Sequence, residues 1–283
     1  MNRTVAVVIP THNRMELLAR ALRSVRSQSL APSEVIVVDD GSEDGTAAMV
    51  AEEFPEVKLL SQPQSGVSAA RNRGIATAES DWLAFLDSDD EWLPNKLEVQ
   101  MDALGRERRM RLCHCEEIWV RDGRRVNPSR RHAKSGGRIF RNCLPLCAIS
   151  PSAAIVHRSA FEDIGGFDES LPACEDYDFW LRFTASNPVL FVGRALLIKH
   201  GGHRDQLSRA TKALDRYRIR ALVKLLEDTE LEPGDRRAAI ETLLGKIDVY
   251  RAGVLKRGRV QEAATLDELA ARYGGVLREA AAQ

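Results

Sequence analysis

Val5-Ala6-Val7-Val8-Ile9-Pro10-Thr11-His12-Asn13-Arg14, with Val35-Ile36-Val37-Val38-Asp39-Asp40-Gly41-Ser42 after it, decides the fold class. Each stretch is a short apolar run, without alternation, that stops abruptly at polar residues. A strand apolar along its whole length is buried on both faces, which is the condition of a parallel sheet covered by helices. Between the two runs, Glu16–Ser27 has the apolar spacing of a helix. The pattern continues outward with Thr46–Glu53 as helix, Lys58–Leu60 as a short strand, Val67–Ala76 as helix and Trp82–Leu86 as strand. Strand alternating with helix is the mark of successive βαβ units, so the expectation is an α/β fold around a central, mostly parallel sheet.

From about Gly105 the regularity breaks. Leu112–Val120 reads as a strand, but Arg121–Arg138 is polar and reads as a long loop or insertion; its seven Arg or Lys residues include Arg124, Arg125, Arg130 and Arg131. Ser152–Val156 then reads as a strand, Ser159–Ile164 as a short helix, Glu175–Thr184 as a helix, and Val189–Val192 and Ala195–Ile198 as two short strands. Beyond His203 the spacing turns helical over Ala210–Leu226, Arg236–Val254 and Gln261–Tyr273. The expected division is 1–105, 106–208 and a C-terminal helical extension, 209–283.

With 283 residues the chain is long enough to bury a full core. Lys plus Arg equals Asp plus Glu at 41 each, so nothing in the charge balance argues for a nucleic-acid partner. The five cysteines, Cys113, Cys115, Cys143, Cys147 and Cys174, form no secreted-domain framework, and no cleavable signal opens the chain, which together fit a reducing cytoplasm. Cys113-His114-Cys115 lacks the CxxC spacing of a zinc site and lies in a strand-like run, so these read as core or surface thiols. No apolar stretch approaches the ~20 residues of a membrane span, so membrane contact would be peripheral, at the inner face. The arginines of 121–138 suit such contact with anionic headgroups or a lipid-diphosphate acceptor, and suit a solvated loop equally.

Four motifs lie at or just beyond strand ends, where open α/β sheets place ligands. They are Pro10–Arg14, Val38–Ser42 with Asp44 and Thr46, Gly66–Gly74, and Asp87-Ser88-Asp89-Asp90. Asp39 and Asp40 suit a base imide or ribose hydroxyl, although Asp40-Gly41-Ser42 also serves as a plain turn and cap. Arg71, near a helix start, suits a phosphate. Three carboxylates within four residues after an apolar strand repel one another unless a cation balances them; magnesium or manganese completed by diphosphate oxygens is the economical solution, a solvated acidic loop the plain one. Further on, Gly165–Glu169 precedes Glu175-Asp176-Tyr177-Asp178 at a helix start, where acids also act as caps.

Taken together, PTHNR, VDDGSEDGT, GVSAARNRG, FLDSDDEWLP and GGFDE followed by EDYDFWLR resemble, in order, the motifs of the family 2 glycosyltransferases. The resemblance runs from Val5 to Ser208. It implies a GT-A fold, a Rossmann-like nucleotide-diphospho-sugar transferase architecture, and transfer of a sugar from a nucleotide sugar to an acceptor hydroxyl with inversion. It places Thr11, Asn13, Asp40 and Arg71 around the nucleotide, with Pro10, Arg14, Asp39, Gly66 and Ser88 flanking them. Asp87 and Asp89 would hold Mg2+ or Mn2+, Asp89 directly, and Asp176 would be the catalytic base with Glu175 its companion. Lys199–Ser208 resembles the segment that closes over the donor phosphates, giving His203 and Arg204 a role there and His200 or His203 one at the metal.

A UDP-sugar donor and a glycan, lipid-linked or small-molecule acceptor, in polysaccharide or glycan synthesis, are the partners the resemblance implies; acceptor identity and oligomeric state are not encoded in any motif. A nucleotidyltransferase of the same fold would share the acidic metal site but not the EDYD helix. A non-catalytic nucleotide-sugar-binding module would not need intact acids at both places. A dinucleotide dehydrogenase would need a GxGxxG after the first strand, which the chain lacks.

Overall fold

The computed structural model describes residues 4–202, 211 and 213–281. Its first half follows the alternation in the sequence: β1 Val5–Thr11, α1 Met15–Arg26, β2 Glu34–Asp39, α2 Thr46–Glu53, β3 Lys58–Ser61, α3 Val67–Thr77 and β4 Trp82–Phe85. The second half comprises β5 Glu91–Trp92, α4 Lys96–Arg106, β6 Leu112–Arg121, β7 Arg124–Val126, α5 Phe140–Cys143, β8 Ile155–His157, α6 Arg158–Ile164, α7 Glu175–Ser186 and β9 Leu190–Gly201. Three helices follow, α8 Asp215–Asp228, α9 Pro233–Lys256 and α10 Val260–Ala281.

The strands form one sheet in the order β3-β2-β1-β4-β8-β6-β9-β5, with β7 hairpinned onto β6. The run β3-β2-β1-β4 is parallel throughout, and β6 is parallel to β9; β8 and β5 are inserted antiparallel. Every residue of β1 is buried, because both its faces are covered. Val7 and Ile9 meet Leu18, Leu22 and Val25 of α1 on one face, in a cluster that also takes Leu97, Met101 and Leu104 of α4. Ala6 and Val8 belong to the opposite cluster, which holds Ala70 and Ile75 of α3, Phe161, Phe167, Phe179 and Trp180, and Leu222, Leu243 and Ile247 from α8 and α9. The C-terminal helices therefore share an apolar cluster with the sheet.

Several local expectations are revised. Lys96–Arg106, to which the sequence reading assigns no element, is a helix, and Glu91–Trp92 is a short strand paired with β9. The two short strands expected over 189–198 are a single strand, whose residues 193 and 194 fall in a register shift against Cys115 and Glu116; a bulge takes the place of the expected turn. Ser152 and Ala153 lie in a single 3-10 turn rather than a strand, which begins only at Ile155. Residues 121–138 open as the β6–β7 hairpin. Of their cations, Lys134 turns inward to a buried ion pair with Glu117 at 2.9 Å, while Arg124, Arg125, Arg130 and Arg131 are exposed.

Candidate active site

Helix α3 lies unusually close to β1 because it carries Gly74: a Cβ there would stand 2.3 Å from Cγ1 of Val8. Arg71, one helical turn earlier on that face, is thereby held at the carboxyl ends of the strands. The loops after β1 and β2 are stapled to each other. The backbone N–H of Asn13 donates to Ser42 Oγ at 2.8 Å, and Asn13 Oδ1 accepts from the Glu43 N–H at 2.8 Å, with Asn13 itself in the left-handed region at φ 50° that asparagine tolerates. Asp39 is buried and accepts from the Ser42 N–H at 3.0 Å, so its side chain closes the turn and does not line the cleft. Asp40 gathers the next loop: Oδ1 accepts from Gln62 Nε2 and the Ser65 N–H, and Oδ2 from the N–H of Gly66, at 2.7–2.8 Å.

After β4, Asp87, Asp89 and Asp90 converge, each offering a carboxylate oxygen within 4.8 Å of the others. Asp90 is the deepest. It accepts from Ser152 Oγ at 2.6 Å and from the His200 N–H at 3.0 Å, while burial, and then the negative charge of Asp89 and Asp87, pushes its carboxyl well above the ordinary range. Arg14 meets Asp89 at 3.2 Å and Arg71 meets Asp87 at 2.7 Å. Lys199, half-buried, stays protonated although desolvation opposes it, because Glu117, Asp90 and Asp87 surround it with negative charge. The donor set is clustered hard oxygen, which fits magnesium or manganese. His200 Nε2 lies 3.4 Å from Glu91 Oε2. His203 and Arg204 lie outside the described residues.

At the start of α7 three acids diverge, as helix geometry requires. Asp178 turns back to Arg182 and Lys224. Glu175 takes Arg71 Nη1 at 2.6 Å, so a single guanidinium bridges Asp87 and Glu175. Burial pushes Glu175 up to about 7, with Asp176 adding to the rise, because the guanidinium is divided between two carboxylates and offsets this only in part. Asp176 faces the cleft; its Oδ1 accepts from the Tyr177 N–H at 2.7 Å and its Oδ2 lies 3.1 Å from Cys147 Sγ. The GGFDE segment ahead of α7 is structural: Asn72 clamps the Phe167 backbone in both directions, and a Cβ on Gly166 would meet Asn72 Oδ1 at 2.5 Å.

These groups open onto one cleft of about 850 Å3, which brings together Pro10, Thr11, Asn13, Arg14, Asp40, Gly66, Arg71, Asp87, Ser88, Asp89, Glu175, Asp176 and His200. Thr11 Oγ1 and Ser68 Oγ are buried at its wall without protein partners. Lys199, the first residue of the segment expected to close over the donor phosphates, also lines it, as do Cys147 and Arg218, which carry no motif.

A curled α/β sheet with an acidic strand end facing an acidic helix start is the architecture of the GT-A glycosyltransferases. Residues 6–165 match the profile described as Glycosyl transferase family 2, and the chain belongs to that family. An uncharacterized glycosyltransferase of Rickettsia typhi is 28% identical over 219 residues, covering 75% of this chain and 69% of that protein. Among solved structures, S. aureus TarS 1-349 in complex with UDP-GlcNAc superposes with a TM-score of 0.61 at 18% identity over 96% of this chain and 92% of that one. The mannosyltransferase PcManGT of Pyrobaculum calidifontis, in complex with GDP-Man and Mn2+, superposes with a TM-score of 0.60 at 18% identity over 98% and 86%. No helix among the described residues is long and apolar enough to cross a membrane.

Proposed function

We propose that this glycosyltransferase moves a sugar from a nucleoside-diphosphate sugar, a UDP-sugar foremost, to an acceptor hydroxyl with inversion, using Asp176 as general base. The observation that carries the reading is the meeting of Asp87, Asp89 and Asp90 with Glu175 and Asp176 across one cleft, joined by Arg71. Asp87 and Asp89, backed by Asp90, would hold magnesium or manganese, which supplies positive charge to the departing diphosphate. Arg14 and Lys199 add cationic charge at the same end. Asp176 accepts the proton of the acceptor hydroxyl as its oxygen bonds to the anomeric carbon and the bond to the diphosphate oxygen breaks on the opposite face, which inverts the centre.

Two probes test this, UDP-GlcNAc and GDP-mannose, the ligands named in the TarS and PcManGT complexes. With manganese, at least one should raise the melting temperature and be cleaved slowly by water to free nucleoside diphosphate, and chelation should abolish both effects. Formation of a nucleoside triphosphate and the sugar 1-phosphate when pyrophosphate is added, in place of hydrolysis to the nucleoside diphosphate, would favour the nucleotidyltransferase. Binding without any turnover, whatever the acceptor, would favour the non-catalytic module.

A further inference from the structure

Cys147 lies in the loop between α5 and β8, a region without sequence motifs, and that loop is fastened to α7. Tyr177 Oη donates to the Leu144 carbonyl at 2.6 Å, and Lys246 Nζ donates to the Pro145 carbonyl at 2.8 Å. So anchored, Cys147 Sγ sits 3.1 Å from Asp176 Oδ2 and 3.1 Å from the Ile149 carbonyl. A thiol has one proton, and a charged acceptor outcompetes a neutral one. Burial, and then the Asp176 charge, hold this thiol well above its ordinary value, so it remains a neutral donor and not a thiolate.

We infer that Cys147 is a positioning residue for Asp176: its S–H···O bond fixes the carboxylate orientation facing the cleft. This rests on the proposed role of Asp176. Deleting the thiol removes the donor that holds Oδ2 and leaves only the Tyr177 N–H on Oδ1. Among the described residues, the other titratable and charged groups around the pair include Glu175, Cys174 and Tyr177 on the Asp176 side, Cys143 and Lys199 on the thiol side, and Arg218 and Asp215 on α8. All of them persist in the variants below, so the comparison isolates the thiol proton.

The experiment follows manganese-dependent hydrolysis of the cleaved probe, UDP-GlcNAc or GDP-mannose. Cys147→Ala should lower kcat ~3–10-fold with KM for the donor unchanged. Cys147→Ser, which restores a donor, should return kcat to near the parent value. Equal losses in both variants, or a loss in neither, would overturn the inference. A reciprocal measurement needs no turnover: with the Asp176 charge removed in Asp176→Asn, iodoacetamide should label Cys147 at least ~5-fold faster at pH 8, read by peptide mass spectrometry. Unchanged labelling overturns the contact. Parent-like hydrolysis by Asp176→Asn would instead sink the base assignment, whichever way the labelling falls.

Discussion

Two parts of the molecule each present three acids within four residues, and they solve the same electrostatic problem in opposite ways. Asp87, Asp89 and Asp90 leave a strand end through a tight loop, so their carboxylates converge to within 4.8 Å, with Arg14, Arg71 and Lys199 around them. Glu175, Asp176 and Asp178 begin a helix, whose rotation of about 100° per residue sends them to Arg71, the cleft and Arg182 respectively. Convergence makes a place for a cation. Divergence gives each acid its own environment and leaves Asp176 facing the cleft. Composition alone does not separate these outcomes; the backbone that carries the acids does.

The sharpest way to break the contrast is Asp176→Asn, which preserves shape while removing basicity. Nucleoside-diphosphate release in a coupled assay should fall by ~10²–10⁴-fold while metal-dependent donor affinity stays at the parent value. A parent-like rate would mean that the helix acids do not perform the proton transfer. At the other acidic site, the Asp87→Ala/Asp89→Ala double variant should weaken UDP binding in manganese by ~10²-fold by calorimetry and leave binding in EDTA unchanged, with the fold intact. Equal titrations for variant and parent would show that convergence there does not serve a metal. The smallest effect is expected from Arg71→Lys, which keeps the charge but loses the planar fork that reaches Asp87 and Glu175 together. A loss of about 1–3 kcal/mol, seen as a melting temperature lower by roughly 2–10 °C, is expected in scanning calorimetry. An unchanged melting temperature would mean the two acidic sites stand without their bridge.

Legibility followed the same division. Strands β1, β2 and β4 were readable because burial on both faces leaves an unbroken apolar run, and the acids beyond them are neighbours in sequence. Helix α4 was readable in principle: Leu97, Met101 and Leu104 keep helical spacing, but they follow Pro94 and a polar stretch that masks their start. The bulge in β9 was not, because a register shift depends on the partner strand β6 and leaves only a glycine and an arginine as its trace. Within the site, motif residues were visible and their partners were not. Arg71 read as a phosphate ligand because nothing in residues 66–74 reveals that Glu175, more than a hundred positions later, takes one edge of its guanidinium. Cys147 and Lys199 are further instances: each acquires meaning only from groups brought to it by the fold.

The contact between Gly74 and Val8 bears on how the site could diversify. Because α3 rides so low on β1, the height of Arg71 above the sheet is set by van der Waals radii at a spot away from the cleft. The spacing between the strand-end acids and the helix-start acids is in turn set by the width of one flat, conjugated ion. Neither dimension depends on the loops around the opening. New wall residues can therefore be sampled without recalibrating the distance between the two sets of acids, so the spacing at the centre of the cleft and the shape of its rim are separately heritable.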